Sequence, residues 1–321
     1  MATSGTYVLS YTVNEIVQEA FDLLQVAADG ETLSGDMISR GKKALNLLIK
    51  TWQAQGAHLW TYTEGTLFLD VGTEKYDFRL AATKAANEWW ETTTTADTAA
   101  SATSFSVTSA ANIQENDIIG IIQSDNDLFW TTVDTVSGTT ITVDDAITLA
   151  TTSGAFVRNY RPSSSTNVPL KPIARMVDVR REETDDYEIP IILGSRQDYF
   201  DLPNKEQSGT PIQAYYDRQD IAGEDSGVMY LWNSPDSAKP VINFTYERKI
   251  QIMDDSTDTL DMPEWMQEAV IYNLATKLIP RYGCTEARAM WIKDEAKSLE
   301  DLVLTFDQEL KPIRVSMAQH G

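Results

Sequence analysis

The sequence predicts an α+β fold. A terminal α-helical bundle, formed by N- and C-terminal helices packing together, is interrupted by an inserted antiparallel β region that carries a further small β-barrel or sandwich insertion. Three observations point there. Residues 262–303 read as two amphipathic helices. The only comparable helical segment, residues 12–56, lies at the other end of the chain. Between them the sequence turns to short alternating runs, threonine-rich over 92–154. Helices with wide apolar faces are marginal in water by themselves, so the two ends need each other. The expected organisation is 1–60 and 259–310 as the bundle, 61–90 and 159–258 as an antiparallel β domain, 91–158 as the small inserted β domain, and 311–321 as a C-terminal tail.

Each element has a local reason. Residues 1–11 form an arm made adhesive by Tyr7, Val8, Leu9 and Tyr11. Thr12-Val13-Asn14-Glu15 fits a capping box, and Val13, Ile16, Val17, Ala20, Phe21 and Leu24 follow as a helical stripe. Ser34 or Asp36 caps a second helix with the stripe Ile38, Gly41, Leu45, Leu48, Ile49 and Trp52, closed by Gly56. Strand signals run through Thr61, Thr63, Thr66, Phe68, Tyr76 and Phe78, broken at Gly65 and Gly72. Residues 81–86 are alanine-rich and read as a short helix or a loop.

Residues 92–154 are roughly one-quarter threonine with almost no lysine or arginine, which favours strands. Five short strands are expected near 105–107, 118–122, 129–133, 140–143 and 156–157, with turns at Asn116-Asp117, Asp125-Asn126 and Ser137-Gly138. This stretch reads as a separable module. After a Pro/Ser linker at 161–172, strands are expected at 173–180, 187–192, 212–217, 228–232 and 241–247, with a polar, turn-rich stretch at 195–205. In the C-terminal pair, Asp261 caps the first helix and Pro263 sits in its first turn. Its stripe is Met266, Ala269, Val270, Asn273, Leu274, Lys277 and Leu278, flanked by Trp265, Tyr272 and Ile279. Pro280 and Gly283 break it. Thr285 caps a last helix with the stripe Ile292, Ala296, Leu299 and Val303.

The formal net charge of −22 disfavours gripping a phosphate backbone. It suits either plain solubility or a surface that lies near DNA without sticking. A single cysteine, Cys284, leaves no internal disulfide. With no signal-peptide pattern and no long apolar run, a soluble, cytosol-folded protein is expected. Catalytic, cofactor and metal sites are expected to be absent. His58 and His320 stand apart from any catalytic pattern, and no HExxH, CxxC, P-loop, GxGxxG or GxSxG motif occurs. The acidic run Asp254-Asp255-Ser256-Thr257-Asp258 lacks the central glycine and distal glutamate of a calcium loop. Trp89, Trp90, Trp130 and Trp232 are able to stack on sugars, but core packing is the commoner fate of such side chains.

Several stretches together resemble the head-to-tail adaptor proteins of short-tailed bacteriophages. They are residues 16–26, residues 44–56 followed by Leu59-Trp60, residues 261–265, 272–275 and 280–283. In the middle, Ser195-Arg196 with Tyr199, residues 202–205, Gly209 and Pro211 with Tyr215-Tyr216, and Leu231-Trp232 with Ser234-Pro235 resemble the β region of larger members. The match omits about residues 91–158. The resemblance implies a structural virion protein rather than an enzyme. It implies a homo-oligomeric ring, usually dodecameric, beneath the portal protein at the head–tail interface, assembled in the host bacterial cytoplasm. Such a ring extends the DNA channel, lets genomic DNA pass without specific binding, and presents a platform to tail (nozzle or tail tubular) proteins, with no membrane partner. Candidate portal or neighbour contacts are Leu310, Pro312, Ile313 and Val315 in the tail, with Tyr7 and Leu9 in the arm.

Two readings of other classes compete. A virion-associated cell-wall hydrolase would need a carboxylate pair in a cleft. A β-rich carbohydrate-binding adhesin would need the 91–158 module to hold sugar.

Overall fold

The computed structural model describes residues 9–26, 32–55, 59–79, 83–162, 169–183, 187–218 and 226–306. In chain order these form α1 (Val13–Leu24), α2 (Gly35–Gln55), β1 (Tyr62–Phe68), β2 (Lys75–Asp77), β3 (Ala85–Ala86), β4 (Trp90–Thr93), β5 (Ser104–Ser106), β6 (Ile118–Ile122), β7 (Leu128–Ser137), β8 (Thr140–Val143) and β9 (Phe156–Tyr160). There follow β10 (Ile173–Glu182), β11 (Glu188–Pro190), β12 (Ile192–Leu193), α3 (Arg196–Phe200), β13 (Gln213–Asp217), β14 (Val228–Trp232), β15 (Val241–Arg248), α4 (Gln267–Tyr282) and α5 (Glu286–Phe306).

The expected fold class is corrected. The described chain is β-rich, with 15 strands in three sheets and five α-helices, and is not a terminal helical bundle carrying small β insertions. Residues 62–249, more than half of the chain, make one compact unit, and residues 1–61 with 250–321 make the other. The physical reason lies in the range of the signals. A helical stripe is complete within one segment, whereas the sheets are held by distant pairings such as Ile173 with Arg248.

In the helical unit, Thr12 is the N-cap of α1. The Glu15 amide donates to Thr12 Oγ1 at 3.3 Å, and the Thr12 amide donates to Glu15 Oε2 at 2.7 Å, which completes the capping box. The next two α1 amides, of Val13 and Asn14, donate to the carbonyls of Asp258 and Ser256 at 2.8 and 3.0 Å. All six residues of the α1 stripe are buried. Ser34 caps α2, accepting from the Met37 amide. On the polar side of α2, Lys42, Asn46 and Lys50 recur every four residues and therefore share a face. The Asn46 amide group exchanges two hydrogen bonds with the Met253 backbone, at 3.0 and 3.1 Å, while Lys42 and Lys50 donate to the carbonyls of Asp254 and Ile250. The apolar faces of α1, α2, α4 and α5 meet in one cluster that includes Phe21, Leu45, Trp52, Leu274, Ile292 and Val303. Buried Asn273 ties α4 to α5, its Nδ2 donating to the carbonyls of Ala269 and Ala296.

Two expectations about α4 are corrected. Asp261 does not cap it. A 3-10 turn over Glu264–Met266 intervenes with Pro263 as its N-cap, while the Asp261 carboxylate accepts from the Gln251 amide. Pro280 does not break the helix either. It lies in the last turn, where one ladder bond is forgone, and α4 runs on to Tyr282 before ending at Gly283 with φ 72°.

In the β unit, one sheet has the order β11-β10-β15-β1-β3 and a second the order β12-β13-β14-β2. Gly65 does not end a strand. It sits inside β1, where a Cβ would come within 2.8 Å of the Phe244 ring. Ala85 and Ala86, expected in a helix or loop, form β3 against Leu67 and Thr66. The stretch expected to be only turn-rich contains α3, capped by a Ser195/Asp198 capping box. Tyr199 of α3 packs on Tyr215 and Tyr230, neighbours across β13 and β14.

The threonine-rich stretch forms the third sheet, of order β4-β9-β6-β7-β8-β5, around Phe105, Ile119, Ile121, Ile141 and Val157. Asn116, Asn126 and Gly138 take positive φ at the three expected turns. Gly120 lies opposite Trp130, where a Cβ would meet the indole at 2.8 Å, so its absence lets the ring lie across β6. This sheet is not insulated from its neighbours. Ile122, Leu128 and Tyr160 share a buried cluster with Phe68, Ala86 and Val241. Arg158 reaches from β9 to the carbonyls of Ala238 and Lys239 and pairs with Glu91 at 2.8 Å.

Candidate functional site

A depression of the helical unit lies along the seam of α1 and α4. It has a volume of about 410 Å³ and is lined by Leu9, Tyr11, Glu19, Leu23, Glu264, Trp265, Gln267, Glu268, Ile271 and Tyr272. The sequence explains its two characters. Trp265 and Tyr272 belong to the stripe flanking the buried face of α4, so they emerge at the edge of the core. Glu264 and Glu268 stand four apart on the same side, and Glu19 faces them from α1. The arm crosses this end: the Leu9 amide donates to Glu264 Oε2 at 2.7 Å, and the Leu9 carbonyl accepts from Gln267 Nε2 at 3.0 Å. Both backbone groups of Leu9 are thereby fixed, while its side chain is 56% exposed. Gln267 is buried, and its Oε1 has no hydrogen-bond partner among the described residues. Burial first, then the carboxylates of Glu268 and Glu295, push the Tyr272 phenol up. Trp291 of α5 stands edge-on to Tyr272, with ring centroids 5.8 Å apart.

Of the residues expected to contact a portal or a neighbour, Leu9 is in this groove. Tyr7, Leu310, Pro312, Ile313 and Val315 lie outside the described residues, as do His58 and His320. Glu19, Glu264, Gln267 and Glu268 were not singled out from the sequence. The aromatic stripe of Trp265 and Tyr272 was the available signal, but its carboxylate rim depends on α1 meeting α4.

A second, smaller pocket, in the β unit, is polar and contains Glu64, Trp89, Arg180, Glu182, Glu188 and Asn243. Asn243 Nδ2 donates to both Glu182 and Glu188, and Arg180 donates to Glu64 at 3.2 Å and pairs with Glu188 at 3.6 Å. Each of these carboxylates is already held by a donor, an arrangement suited to tying β10, β11, β15 and β1 together. The four tryptophans, for which core packing was the commoner expectation, are engaged within the protein. Trp89 and Trp130 flank buried Phe68, Trp90 lies under the Arg161 guanidinium at 4.8 Å, and Trp232 Nε1 donates to the Asn204 carbonyl. Among the described residues no group of three or more His, Cys, Asp or Glu side chains is placed to hold a metal. In the acidic run, Asp258 accepts from the amides of Asp254 and Asp255, and Asp255 accepts from that of Ser256. Among the described residues no helix is long and apolar enough to cross a membrane.

No protein-family model matches the chain, and no curated protein matches it. Among solved structures, the chain is similar over a short stretch to the Gp54 tailspike of Acinetobacter baumannii bacteriophage AP22, solved in complex with an A. baumannii capsular saccharide. The identity is 19% and the TM-score 0.21, and the match covers 23% of this chain and 15% of the tailspike chain. A likeness this slight carries no argument about fold or function.

Proposed function

We propose that this chain is a head-to-tail adaptor of a short-tailed bacteriophage. In this reading it is a structural, non-enzymatic virion protein that closes into a ring, twelve-fold in the resemblance, beneath the portal. The ring extends the DNA channel and carries the tail proteins below. The observation that supports the reading is the set of large apolar side chains left in solvent on the helical unit. Leu47 on α2, and Met290, Trp291 and Leu302 on α5, are all exposed. Ring closure needs two different faces per subunit that bury each other, and apolar residues on separate helices supply such faces. The acidic charge suits a channel wall along which DNA slides.

Electron microscopy of the protein mixed with its cognate portal ring tests this. The expected particle is a portal capped on one side by a second ring of matching symmetry. Absence of any portal complex, together with release of peptidoglycan fragments or saturable sugar binding by the isolated chain, would replace the adaptor by the hydrolase or the adhesin.

A further inference from the structure

We propose that the α1–α4 groove is the docking site for this chain's own segment 311–317, Lys-Pro-Ile-Arg-Val-Ser-Met. The inference concerns an internal contact of the chain and does not depend on the adaptor reading.

The groove combines an apolar floor, from Leu9, Trp265 and Tyr272, with a carboxylate rim of Glu19, Glu264 and Glu268. An occupant must therefore offer apolar side chains together with positive charge. Such segments are scarce in a chain with 48 acidic and 26 basic residues. Residues 311–317 fit: Lys311 and Arg314 bracket Pro312 and Ile313, Val315 and Met317 follow, and no carboxylate interrupts them.

The register of the last two helices brings the segment to the right place. Asn273 of α4 bonds the Ala296 carbonyl of α5. Seven residues on in opposite directions, Met266 and Val303 are buried in the same cluster. The end of α5 at Phe306 is thus level with the Glu264–Met266 turn at the mouth of the groove. From Phe306 to Lys311 an extended chain reaches about 17 Å, more than the ~10–12 Å width of a helix. The segment can therefore enter the groove of its own subunit.

Zero-length carbodiimide coupling of the full chain, read by mass spectrometry, tests the contact, because it joins an amine only to a carboxylate it touches. The expected products join Lys311 to Glu19, Glu264 or Glu268. In a mixture of ¹⁵N-labelled and unlabelled protein these products should be of single isotope. The double variant Lys311→Glu, Arg314→Glu should keep its helical signal and exchange the amides of residues 264–272 about tenfold faster, since the groove then opens to water. Coupling of Lys311 only elsewhere, or not at all, overturns the proposal. So does coupling of the N-terminal amine to the rim in its place, which would give the groove to residues 1–8, and so do mixed-isotope products alone, which would give it to a second copy. Unchanged exchange in the double variant overturns it as well.

Discussion

Asp70 shows how the fold acts on one residue. It follows β1 in a turn stapled by its neighbours: the Asp70 amide donates to the Tyr76 hydroxyl at 3.1 Å, and the Val71 amide donates to Asp127 Oδ1 at 3.1 Å. Desolvation first, then the Asp127 carboxylate, push the Asp70 carboxyl up to about 6, with Lys84 opposing. The folded-state value lies above the unfolded one, so between about pH 4 and 6 the native state binds more protons than the unfolded state. This contribution is full below the unfolded value and is lost as pH rises through the folded one. Asp70→Asn removes the ionisation and nearly keeps the shape. At pH 7 it should be more stable than the wild type by on the order of 1 kcal/mol, after discounting for solvent screening, with the difference fading toward pH 4. Urea unfolding of both proteins from pH 4 to 7.5 checks this, and parallel stability curves would remove Asp70 as the cause.

At the scale of elements, the sheet built from β4 to β9 is the test of how separable the parts are. Its sequence is compositionally distinct and was expected to come away cleanly. Phe68, fully buried, says otherwise: Trp89, Trp130 and Tyr160 surround it, and Ile122 and Leu128 complete the cluster. Replacing residues 91–158 by a Gly/Ser linker would expose Phe68, Ala86 and Val241 and strand the carbonyls that Arg158 binds. Uncovering one large apolar side chain and losing charged hydrogen bonds should cost the remainder about 2–4 kcal/mol. A urea midpoint unchanged from that of the full chain would restore the separable module. The same elements show what a sequence can and cannot reveal. The α1 cap and stripe, the Ile292–Val303 face of α5, and the turns at Asn116, Asn126 and Gly138 were legible, because each rests on local chemistry. The two-residue strand β3 was not, since only its pairing partner defines it. Helical periodicity was also the louder signal, and this gave the helices more weight in the fold class than the sheets allow. In the groove, Trp265 and Tyr272 stood out as a flanking stripe, but the rim of Glu19, Glu264 and Glu268 exists only once α1 lies on α4.

For the whole molecule, charge and apolar exposure pull in opposite directions. Each copy has a formal net charge of −22, while Leu47, Met290 and Leu302 are each more than 60% exposed. Apolar burial between copies would gain roughly 25 cal/mol per Å². Like charges gathered around one axis oppose closure, and that repulsion reaches across about 8 Å at physiological ionic strength. On the adaptor reading, the isolated protein should therefore be a weak self-associator that closes when a portal ring supplies equivalent docking sites and raises the effective concentration of each next contact. Added salt shortens the screening length and leaves the apolar term in place, so self-association should strengthen as salt rises, the opposite of what a salt-bridged interface would do. Sedimentation velocity of the isolated chain across a salt series reads this directly, with the weight-average sedimentation coefficient expected to climb. Stable closed rings at low salt without a portal would defeat the templating idea, and a coefficient that falls with salt would assign the contacts to ion pairs instead of the exposed apolar faces.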